Sequence, residues 1–140
     1  MSARCFLDTN VFLYCFDQSA PAKSVMARDL IRAATTTRSG VVSFQVVQEF
    51  FNISLRRFVP AMSLAEAEQY LATVFRPLLA VQSSVAIYGE ALRIYGRYSL
   101  SWYDSLIVAA AVESQCTILY SEDMQHGFSV GPLEICNPFR

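Results

Sequence analysis

Four acidic residues, Asp8, Glu49, Asp104 and Asp123, are distinguished by where they fall in the chain. Each lies in or beside apolar sequence: Phe6-Leu7-Asp8, Val46-Val47-Gln48-Glu49-Phe50, Trp102-Tyr103-Asp104, and the stretch just after Leu119-Tyr120. Carboxylates are seldom buried unless a cation or a metal neutralises them. Few basic residues are interleaved with these segments, so side-chain ion pairs do not obviously account for all four. Carboxylates that converge without cations repel one another and raise their own pKa values. A divalent ion relieves that repulsion, and an oxygen-only donor set favours Mg²⁺ or Mn²⁺. Such a site performs metal-assisted hydrolysis, in which the ion lowers the pKa of water and no histidine or lysine base is required. That suits a chain whose only histidine is His126 and whose only lysine is Lys23.

Taken singly, each acid has an ordinary explanation. Asp8 caps the turn after a strand, as Asp and Asn often do. Glu49 is a solvated helix residue, Asp104 sits favourably in the first turn of a helix behind the cap Ser101, and Asp123 belongs to a loop. The chemical reading rests on the set and on the elements that must position it.

Those elements are short apolar strands alternating with helices. Arg4 to Leu7 reads as a buried strand ending at Asp8-Thr9-Asn10. Ser24 to Thr36 has helical apolar spacing, and Gly40 to Ser43 reads as a second strand feeding a helix from Phe44 to Arg57. Ser63-Leu64-Ala65-Glu66 has the form of a capping box opening another helix. Leu78 to Val81 reads as a third strand, Ser84 to Tyr98 as a helix, and Ser101 starts a further helix to Ser114. Thr117 to Tyr120 and Leu133 to Cys136 are the last two strands. This alternation predicts a three-layer α/β/α fold, a parallel sheet with helices on both faces. In such folds ligands gather beyond the carboxyl ends of the strands, and the four acids are predicted to lie there.

Composition sets the outer bounds. With 140 residues, 54% apolar and 16% charged, the chain is expected to form one globular domain over residues 1–140. A net charge of -1 gives no global attraction to a polyanion, which would have to be held by local basic residues or by bound cations. Cys5, Cys15, Cys116 and Cys136 are scattered in apolar runs and form no C-x-x-C pair. They are expected to be small buried hydrophobes in a reducing compartment. The N-terminal apolar run is interrupted by Asp8 and lacks a cleavage site, and no stretch approaches the ~20 residues that span a bilayer. The expectation is a soluble, cytoplasmic protein without membrane contact.

The four landmarks together resemble those of the PIN-domain family. They are Phe6-Leu7-Asp8-Thr9-Asn10-Val11, the helix bearing Glu49, Tyr103-Asp104-Ser105-Leu106-Ile107-Val108-Ala109-Ala110-Ala111, and Leu119-Tyr120-Ser121-Glu122-Asp123-Met124. The likeness covers essentially the whole chain, and its size and spacing are similar to VapC-like toxins of toxin–antitoxin pairs. That resemblance implies a five-stranded parallel sheet of order 3-2-1-4-5. It also implies a Mg²⁺- or Mn²⁺-dependent endoribonuclease that leaves a 5′-phosphate and a 3′-hydroxyl, usually a homodimer silenced by a cognate antitoxin. Asp8 is then the central metal ligand, joined by Asp104 and Asp123, with Glu49 binding directly or orienting a water. Either Glu122 or Asp123 supplies the fourth carboxylate, Asp123 being favoured as the third residue after the strand. Thr9, Asn10 and Ser121 are candidate donors that orient the carboxylates, or else side chains that stabilise turns.

RNA contacts are less legible. Arg56 and Arg57 are read at the end of the Glu49 helix, and Arg93 and Arg97 lie one turn apart before Asp104; either pair suits phosphates. Each pair also suits a helix C-terminus with no ligand at all. Tyr95, Tyr98, Trp102 and Tyr103 suit base stacking or packing in a core or dimer interface. Three rival readings remain. A haloacid-dehalogenase-like phosphatase using Asp8 as nucleophile lacks its second aspartate, because residue 10 is Asn. A response-regulator-like receiver lacks the acidic pair and the late lysine. A non-catalytic PIN-like scaffold, binding RNA or protein, fits less well with four filled acidic positions.

Overall fold

The computed structural model describes residues 3–140. Strand β1 (Cys5–Leu7) leads through Asp8 into α1 (Thr9–Tyr14), followed by α2 (Pro21–Thr36). Strand β2 (Gly40–Ser43) runs directly into α3 (Phe44–Ser54). Helix α4 (Leu64–Tyr70) continues as a π-helical turn over Leu71–Phe75 and leads to β3 (Leu79–Val81). Then come α5 (Val85–Arg97), α6 (Trp102–Glu113) and β4 (Ile118–Tyr120), and finally a hairpin of β5 (Ser129–Val130) and β6 (Leu133–Cys136).

The sheet order is β3-β2-β1-β4-β6-β5. The pairs β3–β2, β2–β1, β1–β4 and β4–β6 are parallel, which is the expected 3-2-1-4-5 core. One correction applies: a sixth strand, β5, pairs antiparallel with β6 at the edge. Its turn is Gly131-Pro132, with Gly131 at φ 56°, a left-handed conformation that glycine adopts without steric cost. All three residues of β1 are buried although successive side chains point to opposite faces, so helices cover both sides of the sheet.

Two further boundaries differ from the sequence reading. The sequence reading assigns no element between Asn10 and Ser24, where the structure has helix α1. Burial of Val11 and Phe12, with Asp8 as N-cap, makes it helical. Helix α3 ends at Ser54, so Arg56 and Arg57 lie beyond its last turn. The Ser63–Glu66 capping box forms as expected, both of its reciprocal bonds being present.

Two packing features fix the helices that carry site residues. In α6 every residue from Ser105 to Ala111 is buried, and the small side chains at Ala109, Ala110 and Ala111 let neighbours approach on all sides. Beside Glu49 on α3, Phe50 is fully buried in an aromatic cluster, stacked on Tyr70 at 4.9 Å and edge-on to Phe75 at 5.3 Å.

At the α2–β2 contact Gly40 has no room for a side chain. A Cβ there would stand 2.7 Å from the Ala34 Cβ, which belongs to a helix and has no rotamer to escape into. Gly40→Ala is therefore expected to lower stability by about 1–3 kcal/mol through overpacking, read as a lower urea midpoint at unchanged m-value.

Candidate active site

Asp8 follows β1 and is only 6% exposed. Its Oδ1 accepts the Thr9 N–H at 2.7 Å and its Oδ2 accepts the Ser121 hydroxyl at 2.8 Å. The ordinary explanation of Asp8 as a cap is therefore realised, since its carboxylate starts α1. Thr9 extends the connection. Its hydroxyl donates to Glu49 Oε2 at 2.8 Å, while Gln45 Nε2 donates to Glu49 Oε1 at 2.8 Å and to the Tyr103 carbonyl at 3.3 Å. One chain of hydrogen bonds thus runs from the end of β4 through Asp8, Thr9, Glu49 and Gln45 to the residue before Asp104. Asp104 itself occupies the first turn of α6, where its N–H is capped by the Ser101 hydroxyl at 3.1 Å.

Asp8 and Asp104 each feel the charges of Glu49 and Asp123. Burial pushes the Asp8 carboxyl up to about 6, against the pull of the Ser121 and Thr9 bonds, and the charges of Glu49 and Asp123 push the same way. Asp104 is also raised, first by burial, with Asp123 and Glu49 again adding repulsion. The Ser101 hydrogen bond pulls the other way, and desolvation outweighs it. Among the described residues no lysine, arginine or histidine forms an ion pair with any of the four. The donor set is all carboxylate oxygen with uncompensated charge, which fits a hard divalent cation. Among the described residues no three His, Cys, Asp or Glu side chains stand close enough together to hold a metal ion.

The remaining expected residues divide. Thr9 and Ser121 do hold the carboxylates. Asn10 does not: both polar atoms of its amide are buried without a hydrogen-bond partner among the described residues. Glu122 does not either, because Tyr14 donates to its Oε1 and Lys23 to its Oε2 at 2.6 Å. Asp123, exposed next to it, keeps a free carboxylate. Arg93 is paired with Glu90, and Arg97 lies in the last turn of α5, 5.6 Å from the Tyr98 ring. Arg56 and Arg57 are exposed in the turn after α3 and make no ion pair among the described residues. Tyr98 packs edge-on to Phe128, Trp102 is half-buried against the core, and Tyr95 and Tyr103 are exposed. Sequence reasoning missed Gln45, Tyr14 and Lys23. Gln45 was within reach, since it lies one helical turn before Glu49 on the same face.

Beyond Asp123 a groove of about 830 Å³ passes Asn10 and Tyr14 and continues between Phe16, Phe58 and Pro60. Of the four acids it touches only Asp123, and Asp17 and Glu66 add negative charge farther along.

A parallel α/β sheet with an acidic cluster at its carboxyl end defines the class. The chain matches the PIN domain family over residues 5–128 and belongs to it. Its fold is similar to a toxin–antitoxin complex from Klebsiella pneumoniae, with TM-score 0.65 and 14% identity, covering 96% of this chain and 97% of that one. It is also similar to VapC20 of Mycobacterium tuberculosis, described as a Sarcin-Ricin loop cleaving toxin. There the TM-score is 0.61 with 21% identity, covering 85% of this chain and 89% of that one. No curated protein matches the sequence.

The raised Asp8 carboxyl has a consequence for stability. Between its ordinary value of 3.8 and about 6, the folded chain holds a proton that the unfolded chain has released. Stability from this group is therefore lost as pH rises through that window, up to about 3 kcal/mol. In metal-free protein, Asp8→Asn is expected to melt level with wild type near pH 4 and several degrees higher at pH 7. A difference that does not change with pH would show that Asp8 carries no such strain.

Proposed function

We propose that this PIN-domain protein is a Mg²⁺- or Mn²⁺-dependent endoribonuclease and the toxin of a toxin–antitoxin pair. The observation that carries the reading is that Asp8 and Asp104, beyond the strands of a parallel sheet, each feel the charges of Glu49 and Asp123, with no ion pair to any of the four among the described residues. Two further points support it: membership of the PIN family, and likeness of fold to a toxin–antitoxin complex and to a ribosomal-loop-cleaving toxin.

In this reading Asp8, Asp104 and Asp123 hold the cation. Glu49, held on both oxygens by Thr9 and Gln45, binds the cation directly or orients the attacking water. When bound, the ion lowers the pKa of water and offsets charge on the scissile phosphate. Thr9 keeps Asp8 and Glu49 at a fixed separation, and Ser121 fixes which edge of Asp8 faces the cation. Water attacks phosphorus, the bond to the 3′ oxygen breaks, and the products are a 5′-phosphate and a 3′-hydroxyl.

Arg56 and Arg57 are assigned to the RNA backbone. Helix α3 has no basic residue in its last turn, so the helix-end explanation does not apply to them. The antitoxin is assigned to the groove beyond Asp123, whose apolar walls and acidic Asp17 and Glu66 suit a segment bearing apolar and basic side chains. A homodimer and a cytoplasmic location complete the proposal; no described helix is long and apolar enough to cross a membrane.

The test is cleavage of single-stranded RNA by purified protein with Mn²⁺ and with chelator. Asp8→Asn and Asp104→Asn are each expected to reduce cleavage at least ~100-fold, and Mn²⁺ is expected to raise the melting temperature of wild type only, by mass action. RNA binding without cleavage by wild type in Mn²⁺ would favour the scaffold reading. Separately, replacing both Arg56 and Arg57 by Ala is expected to raise KM and to lower the salt slope of RNA binding by about 1 per lost phosphate contact.

A further inference from the structure

Outside the four acids, the densest knot of charged and aromatic groups joins parts of the chain that are far apart in sequence. The Glu122 carboxylate receives the Tyr14 hydroxyl on Oε1 and the Lys23 ammonium on Oε2 at 2.6 Å. Lys23 also donates to the Tyr14 oxygen at 3.3 Å and sits 4.8 Å from the centre of the Tyr14 ring. Phe139, next to the last residue, packs edge-on to Tyr14 at 4.8 Å, and the Lys23 ammonium lies 5.8 Å from its centroid. The end of α1, the start of α2, the turn after β4 and the chain terminus meet here.

A single exposed ion pair contributes little, but a carboxylate with two donors and a cation beside two rings is a network of limited freedom. What it holds is the residue before Asp123. The residue before that is fixed as well: the Ser121 N–H donates to the Cys136 carbonyl at 3.0 Å and its hydroxyl to Asp8. Met124, on the other side, is buried. Asp123 is thus an exposed carboxylate, with no side-chain hydrogen bond among the described residues, on a turn anchored on both sides.

We propose that Tyr14, Lys23 and Glu122 form a clamp that positions Asp123 for the cation, which makes them positioning residues of the proposed nuclease. The inference rests on that nuclease reading. It goes beyond it by giving the only lysine of the chain a role in the affinity of a site it does not enter.

The experiment is a Mn²⁺ titration of the full chain by calorimetry, with thermal melting of each metal-free variant alongside. Lys23→Met and Glu122→Gln are expected to raise the Mn²⁺ dissociation constant about 10-fold, the usual consequence of removing support behind a ligand. Lys23→Arg is expected to retain most of the wild-type affinity. Tyr14→Phe, which deletes a single hydroxyl, guards against misfolding of the stronger variants and is expected to shift affinity in the same direction by less. In an Asp123→Asn background, Lys23→Met is expected to have no further effect, because the clamp acts through Asp123. The proposal is overturned if wild type binds Mn²⁺ and the clamp variants bind it equally well. It is overturned too if Lys23→Met weakens binding as much without Asp123 as with it. Wild type that binds no Mn²⁺ would overturn the nuclease reading together with the clamp.

Discussion

Mutual repulsion among four carboxylates is the constraint around which this end of the molecule is organised. A fold gains nothing by gathering like charges, and burial of Asp8 adds a desolvation cost to the Coulombic one. Local structure ties down three of the four, and Asp123 has no side-chain hydrogen bond among the described residues. Asp8 is held on both oxygens, Glu49 on both oxygens by partners from two elements, and Asp104 by the capped first turn of a helix buried on every side. Thr9 matters most among the uncharged residues. Its N–H serves Asp8 and its hydroxyl serves Glu49, so one residue sets the relation between acids from two different strand–helix units.

The alternation of strands and helices was legible because β1, β2 and β4 are continuous apolar runs covered on both faces, and such runs leave a clear signature. What escaped was short or decided by tertiary contacts. Six residues of α1 carry a strand-like composition, and only the burial of Val11 and Phe12 with the Asp8 cap makes them helical. The two-residue strand β5 has no pattern of its own; Gly131-Pro132 was its one signal. Placing Asp8 and Asp123 after strands, Asp104 in a first turn and Glu49 early in a helix was possible from order and spacing alone. The hydrogen-bond partners were not, because Gln45, Tyr14 and Lys23 are common residue types whose roles depend on which elements pack together. Asn10 shows the same limit in reverse, a polar residue beside Asp8 whose amide meets neither carboxylate nor backbone.

Glu122 and Asp123 show how position outweighs identity. They are adjacent and similar in chemistry, and both fall just after β4. Glu122 turns toward α1 and α2, where an ammonium and a phenol satisfy it, so it serves as an anchor. Asp123 faces the other acids with nothing to compensate it. Neighbouring carboxylates are thereby divided into one paired within the protein and one without a side-chain hydrogen bond among the described residues.

That division bears on how a chain with net charge -1 can act on a polyanion. Four uncompensated acids, with Asp17 and Glu66 farther along the groove, repel a phosphate backbone. Arg56 and Arg57 offset only part of that field, and salt shortens their reach to about 10 Å. On the nuclease reading, the cation therefore has to bind before the RNA, since until it does the site presents the wrong sign of charge to its own substrate. On the same reading the metal-free groove, which bears Asp123, Asp17 and Glu66, suits a partner with basic side chains, so cation and partner compete through Asp123.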